Sequence, residues 1–161
     1  MNKMFKKISI LVLTCCILIS LTQRPLQVSA STRNNAKNNI IYMDDGDYII
    51  VSTFLPPAPS TFSTYSTVST ISPSKSYKYY NAKDELCWSF TLYATFKYDG
   101  ILVACTDTSS TAAIYKSTWS LVSKSTSKNG GEAIGTIHVK TSAKSVSKTL
   151  TITCTKNGTI N

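Results

Sequence analysis

The chain has 161 residues, with 17 Lys and Arg against eight Asp and Glu, a formal net charge of +9 and a single histidine. That length suits one domain with a modest core, and one histidine excludes a multi-histidine metal centre. The basic residues are scattered and form no block interleaved with aromatics, so no nucleic-acid partner is expected.

In chain order, MNKMFKK, the apolar run Ile8 to Leu21 and the small residues Val28-Ser29-Ala30 follow the three-part order of a secretory signal peptide. The apolar run is shorter than the roughly 18 to 20 residues that span a bilayer. The expectation is cleavage after Ala30 and secretion, with no stable membrane insertion of the mature chain. Four basic residues would leave with the leader, so the mature net charge would be +5. An anionic cell-wall polymer is then an acceptable partner, although such charge often serves only solubility. The end of the chain, KNGTIN, lacks an LPxTG sorting tail, so the product is expected to be released or held non-covalently.

Residues 31–54 read as a polar stretch followed by two short apolar pieces, IIYM and YIIVSTF, forming either a hairpin or one kinked strand around Asp44-Asp45-Gly46-Asp47. Residues 55–75 are rich in Pro, Ser and Thr. Four prolines there exclude a central strand or a helix, and Phe62, Tyr65, Val68 and Ile71 recur every third residue, the period of polyproline II. An extended linker is expected, with the compact domain over residues 76–161.

Period-two patterns dominate that domain, which points to an all-β fold: an antiparallel β-sandwich or a partly closed barrel. In residues 88–98 the even positions hold Trp88, Phe90, Leu92, Ala94, Phe96 and Tyr98, so the even face is the core face. Asp99-Gly100 suits a two-residue hairpin loop, which would set Phe96 opposite Val103 and Ala94 opposite Cys105, with Ile101, Val103 and Cys105 facing the core. A second hairpin is expected over Asn129-Gly130-Gly131. A three-residue loop pairs Leu121 with Val139 and Ser123 with Ile137, whereas a two-residue loop would set Leu121 against His138.

In the first register Cys87 lies seven residues from the level of Cys105, over about 20 Å at 3.3 Å per residue. A disulfide needs Cα atoms within about 7 Å, so these two do not bond. Cys154 in KTLTITCTK shares the core phase with Leu150 and Ile152, as Cys105 does in its strand. A Cys105–Cys154 disulfide is expected, with two buried free thiols as the alternative. Cys87 falls in the opposite phase and is the candidate free thiol, whether exposed, linked to another chain or inert beneath the linker.

The stretches LCWSFTLYATFKYDGILVACT, IYKSTWSLVSKSTSKNGGEAIGTIHV and KTLTITCTKNG, within residues 75 to 158, resemble an abundant set of small secreted proteins of Gram-positive Firmicutes. The resemblance implies a secreted β-rich protein and matches Cys105 and Cys154, but brings no activity. Cys87 stands where that pattern has a polar residue.

No catalytic motif and no cofactor motif is present. His138 is out of phase with Ile137 and Val139 and reads as a surface residue. The Asp44–Asp47 group could approach Ca²⁺ but lacks the EF-hand pattern, and Asp84, Glu85 and Asp107 are the acids a glycosidase reading would have to use. Tyr77, Tyr79, Tyr80 and Tyr93 form a candidate sugar-stacking surface. The leading expectation is a secreted non-enzymatic module that binds a cell-surface, wall or host component such as a carbohydrate. A secreted antimicrobial or toxin-like protein and an extracellular carbohydrate-active enzyme are the competing classes.

Overall fold

A computed structural model describes residues 37–56 and 68–161. The expected leader, the polar stretch ahead of Lys37 and the proline-rich run over 57–67 lie outside the described residues. The described residues form nine strands: β1 (Lys37–Tyr42), β2 (Tyr48–Phe54), β3 (Ser69–Ile71), β4 (Ser74–Tyr80), β5 (Leu86–Tyr98), β6 (Val103–Ile114), β7 (Ser120–Asn129), β8 (Glu132–Lys140) and β9 (Ser145–Thr153). No helix occurs among the described residues, and therefore none that is long and apolar enough to cross a membrane.

All pairings are antiparallel. One sheet runs β1-β2-β4-β5-β6, with β3 continuing the line of β4 along the same side of β5, and β7-β8-β9 form the other. The two sheets are not closed into a barrel; they stack as a sandwich. The even residues of β5 form the core as their periodicity predicts: Trp88, Phe90, Leu92, Ala94 and Phe96 are buried against Ala133, Ile137 and Val139 of β8 and Leu150 and Ile152 of β9. Burying a large side chain of this kind contributes about 1.5 to 3 kcal/mol. The sheets approach closely at Gly135, where a Cβ would lie 2.9 Å from Leu92 Cδ1 and 3.1 Å from Phe90 Cζ.

The sheet begins well before residue 76. IIYM and YIIVSTF form a hairpin through the turn at Met43–Asp47, and β2 pairs along the whole of β4. Part of the expected linker is also a strand: Ser69–Ile71 pairs with Phe96–Tyr98. Pro73 interrupts that edge only briefly, because its carbonyl still accepts the Ala94 N–H at 3.2 Å. A proline lacks a donor but keeps its acceptor, so it is tolerated beside the ladder.

Both hairpin loops differ in length from expectation. The β5–β6 loop has four residues, and Tyr98 pairs with Val103 and Phe96 with Cys105. The Asp99 carboxylate causes this by accepting the N–H groups of Ile101 and Leu102 at 2.9 and 2.8 Å, an Asx turn that outcompetes the two-residue alternative. Ile101 is consequently 76% exposed and not in the core. The β7–β8 loop has two residues, Gly130-Gly131, and pairs Lys124 with Ile137 and Ser123 with His138. A bulge at Val122 then restores the expected pairing of Leu121 with Val139.

Candidate functional site

Four connections converge at one end of the sandwich. In the β1–β2 turn, Gly46 takes a positive φ of 82°, and Asp45 Oδ1 accepts the Asp47 N–H at 3.2 Å. In the β8–β9 turn, Thr141 Oγ1 accepts the N–H groups of Ala143 and Lys144 at 3.1 and 3.0 Å. These local bonds aim Lys144 at the first turn. Its Nζ lies 2.7 Å from Asp45 Oδ2 and 2.6 Å from Asp47 Oδ2, and it also stands 5.3 Å from the centre of the Tyr79 ring and 5.9 Å from that of Trp119. The Tyr79 hydroxyl donates to Asp47 Oδ2, and the Ala82 N–H donates to Asp47 Oδ1 at 3.0 Å.

The floor of this cluster is aromatic. Tyr79 stacks on Trp88 at 5.1 Å, and Trp119 meets both edge-on at 5.1 and 6.3 Å. Trp88 Nε1 is buried and has no hydrogen-bond partner among the described residues. Burial and the Asp47 carboxylate push the Tyr79 hydroxyl up to about 12. Burial pulls the Lys144 amine down, but Asp45, Asp47 and Tyr79 outweigh it and hold the amine above its ordinary value. The ammonium is therefore engaged by two carboxylates and two rings. As a unit the cluster clamps loops together; it offers neither a free base nor an activated nucleophile.

The expected tyrosine surface is divided by strand alternation. Tyr79 is fully buried in the core and cannot stack a sugar. Tyr77 also faces inward, half-buried, with its hydroxyl donating to Thr149 O at 3.0 Å. Tyr93 lies on the outer face and is exposed. Tyr80 is on the outer face by the alternation that buries Tyr79, although a bulge in β5 shifts the register between the two, and there it joins Tyr42 and Tyr48. Tyr42 pairs with Tyr48 and Tyr48 with Tyr80 across β1-β2-β4. Their rings form a ladder, with centroids 5.8 Å apart at the first step and 5.0 Å at the second, where the planes differ by only 5°. Partial burial and the neighbouring Asp84 carboxylate push the Tyr48 hydroxyl above its ordinary value. Tyr42, 74% exposed, leaves the end of the ladder open. The signal in the sequence was the DDGD turn: Tyr42 and Tyr48 flank Met43–Asp47, so choosing the hairpin would have paired them.

The same bulge overturns the solvent-facing placement of Cys87. Tyr80 pairs with Leu86 and Tyr79 with Trp88, so Cys87 is the extra residue and is only 2% exposed. Its thiol donates to Glu85 O at 3.4 Å, and burial raises its pKa. At the other end of the sandwich, Cys105 and Cys154 are buried as their phases predict, but as free thiols; the expected bridge is not formed. Each thiol instead donates to a backbone carbonyl, Cys105 to Asp107 O at 3.3 Å and Cys154 to Thr155 O at 3.4 Å. Their backbones hold one turn from both sides: Cys105 N–H donates to Gly130 O at 2.6 Å and Cys154 N–H to Gly131 O at 2.9 Å.

The remaining acids and the histidine are dispersed. Glu85 pairs with Lys116 at 2.6 Å, while Asp107 pairs with Thr95, nine residues along β5 from Leu86 and so about 30 Å away. They cannot flank one glycosidic bond, which needs carboxyls about 5 to 10 Å apart. His138 Nε2 lies 2.6 Å from Ser145 Oγ on the outer side of β8. No three His, Cys, Asp or Glu side chains come together as a metal site among the described residues.

No protein-family model, no curated protein and no solved structure matches this chain.

Proposed function

We propose that this protein is a secreted, non-enzymatic binding module that attaches to a glycan-bearing component of a cell surface, wall or host through the outer face of its larger sheet. The observation that carries this reading is the ladder Tyr42–Tyr48–Tyr80. Aromatic side chains with one polar end are enriched where a surface meets a partner, because they combine large apolar area with few rotatable bonds. The ladder supplies an open ring at Tyr42 and a row of phenolic hydroxyls, the combination a pyranose ring with its apolar face and hydroxyl rim requires. Its surroundings are hydroxyl-rich: Ser52, Ser76, Ser89, Thr91 and Thr95 share this face by alternation.

Secretion after cleavage at Ala30 belongs to the same reading. Outside the cell, where thiols are not held reduced, Cys105 and Cys154 would close a disulfide across the Gly130-Gly131 turn; the two consecutive carbonyls that their N–H groups share support that pairing. The test is co-sedimentation with purified Gram-positive cell-wall sacculi and with insoluble chitin. Binding to one of them is expected to weaken about tenfold, or 1.4 kcal/mol, for Tyr42→Ala and for Tyr80→Ala, with circular dichroism unchanged. Equal binding by wild type and both variants would sink the reading.

A further inference from the structure

Among the described residues, side chains guard the outer edges of β9 and β6, and the long edge of β1 has no such guard. The open side of β9 is met by Tyr77, whose hydroxyl donates to Thr149 O at 3.0 Å, and by Lys75, whose Nζ donates to Thr151 O at 3.1 Å. The open side of β6 is met by two lysines of β7: Lys124 donates to Ser110 O at 2.8 Å, and Lys128 donates to Thr106 O. These contacts also bring β7 alongside β6. Natural sheets guard their edges in this way because an unpaired strand is a template for another. On β1, no described residue outside β2 bonds to the backbone of Lys37–Tyr42. The strand has no proline and no bulge, and its only charge is at its first residue. It exposes Ile40 at 47%, Ile41 at 44% and Tyr42 at 74%, an apolar run on both faces.

We infer that β1 is a self-association edge, and that two copies of this chain pair antiparallel along it to form one continuous sheet. Met43 N–H bonds Asp47 O, toward β2. By the alternation of an antiparallel ladder, the N–H and C=O groups of Tyr42, Ile40 and Asn38 therefore point outward and are available. A two-fold axis normal to the sheet keeps each face on its own side, so a residue can lie opposite itself or opposite one an even number of positions away. Apolar matching selects among these registers. Centring on Ile41 sets Ile41 against Ile41 of the second copy and Tyr42 against its Ile40; centring on Ile40 would set Tyr42 against Asn38. The chosen register also runs Lys37 alongside the Asp44-Asp45 turn of the other copy, so the charges complement at both ends. The occupant that matches this edge in both apolar and charged character is the edge itself.

This inference does not rest on the glycan reading, and its experiment is separate. Sedimentation equilibrium of the secreted chain should give twice the chain mass, falling toward one chain mass on dilution. Ile41→Lys should abolish the association. So should Ile40→Pro, which removes only an outward N–H and leaves the β1–β2 ladder intact; circular dichroism checks that both variants fold. In the chosen register the two Ile41 residues form a non-hydrogen-bonded pair with Cα atoms about 4.5 Å apart, within disulfide range. Ile41→Cys should therefore cross-link to a covalent dimer under mild oxidation, whereas Asn39→Cys, opposite Met43 of the other copy, should not. A wild-type chain that stays monomeric at every concentration, or a dimer that survives both Ile41→Lys and Ile40→Pro, overturns the inference. Cross-linking through Asn39→Cys in preference to Ile41→Cys overturns the register.

Discussion

Lys144 Nζ and Asp47 Oδ2 lie 2.6 Å apart across 97 positions of sequence, tying the β8–β9 turn of one sheet to the β1–β2 turn of the other. Their side chains are 34% and 13% exposed, which puts the pair between a surface ion pair and a buried one. Removing one partner leaves the other poorly solvated against aromatic rings. Asp47→Asn is expected to lower stability by about 1 to 2 kcal/mol, intermediate between the surface and buried limits, and Lys144→Met by a similar amount. Urea unfolding of each variant and of the double variant checks this. A double variant that costs less than the sum of the two single changes is the expected signature of coupling.

Protonation of Asp47 in acid and deprotonation of Tyr79 in alkali should each loosen the same clamp. Burial pulls the Asp47 carboxyl upward, but hydrogen bonds from Lys144 and Tyr79 outweigh it and hold it below its ordinary value of 3.8. A depressed carboxyl contributes stability that is present above the unfolded value and lost as pH falls through the folded one, so acid should destabilise the fold below about pH 4, with a shallower dependence in Asp47→Asn. Tyr79 runs the other way. Its folded value, pushed up from 10.0 to about 12, gives stability that is present below pH 10 and lost as pH rises through about 12. Unfolding free energies across pH measure both arms.

Gly135→Ala is expected to destabilise the protein by about 1 to 3 kcal/mol, the usual cost of overpacking a core. Its backbone tolerates alanine, but the new methyl would meet Leu92 and Phe90 at 2.9 and 3.1 Å. A calorimetric midpoint equal to that of wild type would mean the sheets have room to part.

The burial of Cys87 predicts an unreactive thiol, since the thiolate is the nucleophile and burial suppresses it. Iodoacetamide should label Cys87 only after denaturation, as read by peptide mass spectrometry. Prompt labelling of the folded protein would return it to the surface position its strand phase suggested.

Where a rule of local chemistry acted alone, the sequence was readable. The alternation through Trp88, Phe90, Leu92, Ala94 and Phe96 located the core, and the phases of Cys105 and Cys154 located two buried thiols. Bulges defeated the phase argument elsewhere: one extra residue at Cys87 turned an outward thiol inward, and one at Val122 allowed a two-residue loop to keep Leu121 beside Val139. The loop after Tyr98 was set by a side chain, Asp99, that the Asp-Gly turn preference does not count. Lys144 and Trp119 were invisible as a site because no local pattern links residues brought together by four separate turns. The tyrosine ladder needed one pairing decision, whether Tyr42 and Tyr48 face each other across a hairpin, and composition could not make it.

The most direct measurement of the central claim is amide chemical-shift mapping of the ¹⁵N-labelled protein titrated with solubilised cell-wall fragments and, separately, with chito-oligosaccharides. The ladder reading predicts saturable shifts with one of these probes, centred on Tyr42, Tyr48 and Tyr80 and extending to their outer-face neighbours Ile40, Ile50 and Lys78. Shifts centred instead on the Lys144–Asp47 end of the sandwich, or no shifts with either probe, would contradict it.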